Sequence, residues 1–252
     1  MRDEINVTFK KNHVAVVEIC KPPNNFFSTN LISGLADTFE QLDENNDVRV
    51  SVLCSQGKHF CAGADFSGDS NGNDTLGLYA GAVRIFRCHK PIIAAIQGAA
   101  IGGGLGLALV ADFRFASPEA RFSANFSRLG FHQGFGLSVT LPELIGTQAS
   151  NDMFFTGRRV TGEEAAELGL CDRLVPLTEL KNAATSYAQE IAKSAPLAIE
   201  AIRKTLRGDL ADRVEKATLH EASEQARLVK TKDWVEGISA SSERRDPKFR
   251  RE

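Results

Sequence analysis

Short apolar runs open the chain, and apolar residues at helical spacing dominate its end. Residues 6–9 and 13–19 alternate or run apolar around the polar triplet Lys10-Lys11-Asn12, which predicts a β-hairpin. The turn residues Lys21-Pro22-Pro23-Asn24-Asn25 close it. Leu31, Leu35, Phe39 and Leu42 then recur at helical spacing, with Ser28 or Thr29 as the N-cap. Strands are expected over 48–54, 92–96, 113–116 and 120–122, and helices over 76–88 and 105–110. Residues 126–135 read as a glycine-containing loop, and 137–145 and 149–155 as helices. Thr161, with Glu164 three residues on, predicts a capped helix over 161–170. Residues 171–175 are strand-like; 180–192, 197–206 and 210–228 are amphipathic helices; 232–252 is a highly charged tail. Strands and helices alternate to about Val175 and helices follow, the pattern of an α/β core with a helical C-terminal region.

Two stretches carry candidate chemistry. In Lys90–Ala116, the buried run 92–96 is broken by Gln97-Gly98, and Gly102-Gly103-Gly104 precede an apolar helix. Glycines at such a junction leave backbone N–H groups without intrahelical partners, and no Cβ keeps a ligand oxygen away. With the added potential of the helix terminus, this is an anion or oxyanion site. The alternative is close helix–strand packing. Residues 57–66, GKHFCAGADF, are a second place where N–H groups follow a strand, and the Gly/Asn/Asp/Ser-rich residues 67–75 read as a loop.

Composition narrows the class. The chain has 252 residues, 42% hydrophobic and 25% charged, which suits a soluble α/β domain with a smaller appendage. A formal net charge of -2 gives no reason to expect nucleic acid or an anionic membrane as partner. No signal peptide and no bilayer-spanning run is read, so the expected location is cytoplasmic. The five cysteines form no C-x-x-C pair and read as small buried hydrophobes. Cys61 lies beside a glycine turn, but no His/Asn pattern supplies a base for it as a nucleophile.

Four pieces together carry a resemblance: FCAGADF at 60–66, KPIIAAIQGAAIGGGLGLALVADFRFA at 90–116, TGRRVTGEEAAELGLCDRLVP at 156–176 and DWVEGISASSERRDPKF at 233–249. In order and spacing they resemble the crotonase (enoyl-CoA hydratase/isomerase) superfamily. The resemblance implies a spiral of ββα units over residues 1–190, carrying an acyl-CoA site. It implies a helical oligomerisation region over 191–252, forming a homotrimer or dimer of trimers. It implies an acyl-CoA substrate, with coenzyme A as part of that substrate and no separate cofactor or metal. Two backbone N–H groups, those of Ala64 and Gly103 by motif position, would polarise the thioester carbonyl and stabilise an enolate. Each such donor is worth about 3–4 kcal/mol in the transition state. Ala62, Asp65, Phe66, Gly106, Phe126 and Lys21 are the expected substrate contacts, with Arg244 in the tail reaching toward coenzyme A phosphates.

The chain departs from the family where water is activated. The two hydratase glutamates fall on Gly106 and Phe126, and neither is a carboxylate. His132, in the loop that carries catalytic acids in several relatives, is the candidate acid/base. His59 and His89 read as structural, Glu143 as solvated and Asp112 as structural. Phe122, Phe126, Phe131 and Phe135 suggest a bulky or aromatic acyl group, or else belong to the core. A β-diketone-type C–C bond hydrolase that dispenses with coenzyme A, and a catalytically silent acyl-CoA-binding subunit, are the alternatives to an enzyme acting on acyl-CoA.

The C-terminal helices carry more apolar faces than a lone appendage can bury, so the protein is expected to be an obligate oligomer. Sedimentation at micromolar concentration should show trimers or hexamers; a folded monomer would refute this.

Overall fold

The structure, a computed structural model, describes residues 4–65 and 75–252. A hairpin of β1 (Ile5–Lys10) and β2 (Val14–Ile19) leads into α1 (Thr29–Glu44), whose N-cap Ser28 accepts the Leu31 N–H. Next come β3 (Val50–Ser55), α2 (Thr75–Arg87), β4 (Ile92–Ile96), β5 (Ala99–Ile101) and α3 (Gly103–Ala108). The chain continues through β6 (Phe113–Ala116), β7 (Arg121–Ser123), a 3-10 turn (Asn125–Leu129) and α4 (Leu137–Thr156). Then follow β8 (Val160–Thr161), α5 (Gly162–Glu167), β9 (Arg173–Leu174) and the helices α6 (Leu180–Ile191), α7 (Pro196–Arg207), α8 (Leu210–Leu228) and α9 (Lys232–Glu243).

A six-stranded sheet in the order β1-β2-β3-β4-β6-β9 is parallel except for its opening hairpin. A three-stranded sheet, β5-β7-β8, stands beside it. Successive strands β4 and β5, and again β6 and β7, feed one sheet and then the other before a helical segment follows. That is the strand–strand–helix spiral the resemblance implied.

All six residues of β3 are buried because both its faces are covered. Leu31, Leu35 and Phe39 of α1 pack in one cluster with Leu53, while Leu180, Ala184 and Ala188 of α6 pack in another with Val50 and Val52.

The sequence pattern differs from the fold in several places. The two helices expected over 137–145 and 149–155 are present within α4, which is broken between them at Gly146, where φ is +80°. The loop expected over 126–135 begins as the 3-10 turn. Thr161 does cap α5 by accepting the Glu164 N–H, but α5 ends at Glu167. The charged tail begins as α9, capped by Thr231, because Trp234, Gly237 and Ala240 give it a face that packs on the 3-10 turn. Gly237 has no room for a Cβ against the Leu129 backbone.

Helix α7 is inverted. Its buried side chain is Arg203, while Leu197, Ile202 and Leu206 are exposed. Arg203 and Arg207 both donate to the Asp112 carboxylate at 2.9 Å, and Asp112 also accepts the Ile92 N–H. This makes Asp112 a structural residue, as the sequence suggested.

The buried Asn25 and the half-buried His59 fix the connection between β2 and α1. Asn25 is fully buried with φ +49°, a conformation asparagine tolerates. Its side chain accepts the Lys21 N–H (2.9 Å) and donates to the carbonyls of Gln56 (2.7 Å) and His59 (2.6 Å). His59 Nδ1 accepts the Ala99 N–H at 3.0 Å, so its proton resides on Nε2. Burial, followed by the charge of Lys58, lowers the His59 pKa from its ordinary 6.5.

Asn25→Ala should cost about 3 kcal/mol by urea denaturation, because it removes three hydrogen bonds from a buried side chain and forces alanine into positive φ. For His59 the unfolded chain binds the proton more readily than the folded one. Its contribution is complete above 6.5 and is lost as pH falls below that value toward the lowered folded pKa. NMR titration should therefore place the His59 ring below 6.5 in the native protein.

Candidate active site

The site is built where two glycine-bearing segments run side by side. Cys61 bridges Ala100 in parallel, with Cys61 N–H donating to the Ala99 carbonyl (2.9 Å) and Ile101 N–H to the Cys61 carbonyl (3.1 Å). Gly104 lies so close that a Cβ would collide with the Cys61 carbonyl. On the far side, Ala64 bridges Phe27, whose N–H donates to the Gly63 carbonyl at 3.1 Å. These ties leave the N–H groups of Ala64 and Gly103 with no hydrogen-bond partner among the described residues. Gly103 is the first residue of α3, and its N-cap Gly102 offers no side chain to accept from it. A Cβ on Gly103 would strike the Phe27 ring, so Phe27 touches both segments.

Beside this junction is a cleft of about 330 Å³ lined by Lys21, Asn24, Phe27, Ser28 and Asp65, among others. Of the residues singled out in the sequence, Lys21 and Asp65 line this cleft, while Ala64 and Gly103 lie on either side of Phe27 at the junction beside it. The Lys21 ammonium lies 3.0 Å from the Glu4 carboxylate. Ala62 is half-buried and its N–H donates to the Asn24 carbonyl at 2.9 Å. Phe66 lies outside the described residues. Arg244 is exposed at the C-terminal end of α9 and does not line the cleft. Its neighbours Arg245 and Lys248 are engaged with Glu236.

Aromatic rings occupy the surroundings of the carboxylate positions. At Gly106 a Cβ would lie 2.6 Å from the Cβ of Phe135, whose side chain is 1% exposed. Phe135 also meets Phe27 edge-on, with ring centroids 6.1 Å apart. Phe126 is buried over Gly102 and stacks on Phe131, which in turn packs on Trp234.

The loop that carries His132 and Phe135 is held from α8. The fully buried Glu221 carboxylate accepts the N–H groups of Gly136 (2.9 Å) and Ser138 (3.0 Å) at the start of α4. Gln225 donates to the carbonyls of His132 (2.9 Å) and Gln133 (3.3 Å), and accepts from the Tyr79 hydroxyl (2.8 Å). Burial, with the Glu221 charge second, raises the Tyr79 pKa, so the phenol stays protonated. His132 is half-buried, and its Nδ1–H donates to the Gln133 carbonyl at 2.8 Å. The ring lies edge-on to His220 of α8, with centroids 5.8 Å apart. The structure thus sets Phe135, rather than His132, against Gly106.

Other sequence candidates sort readily. Cys61 is fully buried and burial pushes its thiol up to about 11, which makes it a packing residue. Glu143 pairs with Arg213 on the exposed surface. His89 is exposed beside Asp43 and Glu200. Sequence reasoning missed Asn25, Phe27, Glu221 and Gln225. The Pro-Pro-Asn-Asn turn signals the first; no local pattern singles out the α8 pair, because burial of a helix-face glutamate depends on what packs over it.

The chain matches the Enoyl-CoA hydratase/isomerase family over residues 9–252. It is 31% identical over 257 residues to a carnitinyl-CoA dehydratase of Salmonella enteritidis PT4, covering 98% of each chain. An enoyl-CoA hydratase/isomerase from Pseudoalteromonas atlantica T6c superposes with a TM-score of 0.88 at 28% identity, covering 98% of this chain and 100% of that one. An enoyl-CoA hydratase from Mycobacterium avium subsp. paratuberculosis K-10 gives 0.86 at 25% identity, covering 98% of each chain. With a parallel sheet spiralling into a glycine-built junction and a family match over nearly its whole length, this chain belongs to the enoyl-CoA hydratase/isomerase family of the crotonase superfamily.

Proposed function

We propose that the protein binds an acyl-CoA thioester and activates it by polarising its carbonyl between the N–H groups of Ala64 and Gly103. The observation that carries this reading is the pair of N–H groups, unengaged among the described residues, on two segments locked together at Cys61–Ala100. Donors fixed before the substrate arrives do not reorganise as charge develops on the oxygen, which is what stabilises an enolate. Both belong to the backbone, so they do not depend on the residues at positions 106 and 126. Lys21 and Asp65, on the cleft, are the proposed contacts of the coenzyme A portion, and Arg244 a contact supplied from the tail.

Water addition needs a group to take a proton from water and one to deliver a proton to carbon. General acid–base groups contribute about 10²–10⁴-fold each. With glycine and phenylalanine at the two glutamate positions, the protein should be a poor hydratase that still binds and polarises thioesters. His132 is the proposed remaining acid/base, supported by the Nδ1 bond to the Gln133 carbonyl, which orients the ring while its Nε2 makes no hydrogen bond among the described residues. One observation favours a second reading, a silent acyl-CoA-binding subunit: the His132 ring rests on His220 rather than on the Gly103–Gly106 turn. Self-association through the helical region 191–252 is supported by the exposed Leu197, Leu206 and Leu219.

Calorimetry with coenzyme A and acyl-CoAs should show binding, which a β-diketone hydrolase would not. Crotonyl-CoA hydration should be slow, and His132→Ala should abolish what remains; no turnover at all would favour the silent subunit. Gly103→Pro deletes one donor and should abolish thioester activation in a protein whose circular dichroism is unchanged. Fast hydration that survives His132→Ala would show that another residue carries the proton chemistry.

A further inference from the structure

We propose that Phe135 sets the length of acyl group this protein accepts, restricting it to short acyl-CoA thioesters. The inference rests on the reading of Ala64 and Gly103 as the carbonyl donors. An acyl group whose carbonyl sits on those N–H groups begins beside Phe27, because Phe27 touches both segments. The next ring inward is Phe135, edge-on to Phe27 at 6.1 Å and seated directly on Gly106. A chain running inward past Phe27 therefore meets this ring. The glycine at 106 is what admits it, since any Cβ there would overlap the Phe135 side chain.

Phe135 is a fixed wall rather than a hinged one. Its φ is +63°, a region that bulky residues seldom occupy, so its surroundings hold it there. Backbone groups on both sides of it are tied. The carbonyls of His132 and Gln133 accept from Gln225, and the N–H groups of Gly136 and Ser138 donate to Glu221. Gly134 completes the lock, because a side chain there would collide with the Tyr79 hydroxyl. These ties fix the backbone on either side of Phe135, and its ring is set against Gly106 and Phe27. The closely packed rings of Phe27, Phe126, Phe131 and Phe135 thus act as filling, which argues for a short acyl group over a bulky or aromatic one.

The test is calorimetric binding of butyryl-CoA and octanoyl-CoA to wild type, Phe135→Gly and Phe135→Leu. Glycine accepts the positive φ without strain, and leucine retains much of the buried volume should the glycine variant fold poorly. Wild type should bind butyryl-CoA at least about tenfold more tightly than octanoyl-CoA, in line with what pocket sterics discriminate. Phe135→Gly should erase or reverse that ratio, and Phe135→Leu should reduce it. Equal affinities in wild type, or an unchanged ratio in a folded variant, would overturn the role of Phe135 while leaving thioester binding standing. Failure of wild type to bind either thioester or free coenzyme A would overturn the underlying reading of the site, and this inference with it.

Discussion

Backbone passes backbone at van der Waals distance where residues 57–64 meet residues 97–104, and the rest of the molecule is arranged to permit it. Three glycines make the approach possible. A Cβ at Gly98 would strike the Lys58 carbonyl, one at Gly104 the Cys61 carbonyl, and one at Gly63 would sit 3.1 Å from the Ile101 carbonyl. Side chains then staple the contact from outside, through Asn25 to the Gln56 and His59 carbonyls and through His59 to Ala99. The unengaged donors of Ala64 and Gly103 are a by-product of this geometry. Cys61 and Ile101 spend their N–H groups across the bridge between the segments, and no acceptor among the described residues reaches those of Ala64 and Gly103.

The residues most legible in the sequence were those whose role is local. The run at 92–96 matches β4 at both ends, Ser28 and Thr161 cap the helices they precede, and the glycine triplet lies at the start of α3 as its lack of side chains required. Long-range packing was not legible. Trp234 and Gly237 make α9 a docked helix only because the 3-10 turn presents a backbone surface to receive them. The composition of the tail records its charge and not that surface. Phe135 was readable as an aromatic between glycines, but which wall it completes depends on Gly106, 29 positions away in the chain and adjacent in space. Glu221 looks in sequence like any solvated helix glutamate, and only the arrival of α4 converts it into the buried acceptor for that helix's first N–H groups.

Core and C-terminal helices are therefore interlocked in structure. Helix α8 packs on α2 and α4, and Val214 closes over Gly136 while Gln225 and Glu221 fix the loop before α4. The appendage suggested by the alternation of strands and helices contributes the restraint on residues next to the candidate site. Charge placed on a buried helix face is tolerable here because every oxygen of Glu221 meets a donor in a region of positive potential.

Helix α7 shows what such polar attachment does for a surface. A helix seated by leucines tolerates small slides and rotations, since dispersion contacts have little direction. Two guanidinium groups converging on one carboxylate, with further bonds to the Cys88 and Val110 carbonyls, tolerate neither. The anchoring face thus fixes the helix in azimuth and in height. Leu197, Ile202 and Leu206 are in consequence presented like raised type on a clamped block, with spacing and direction set from beneath by charge rather than by their own packing.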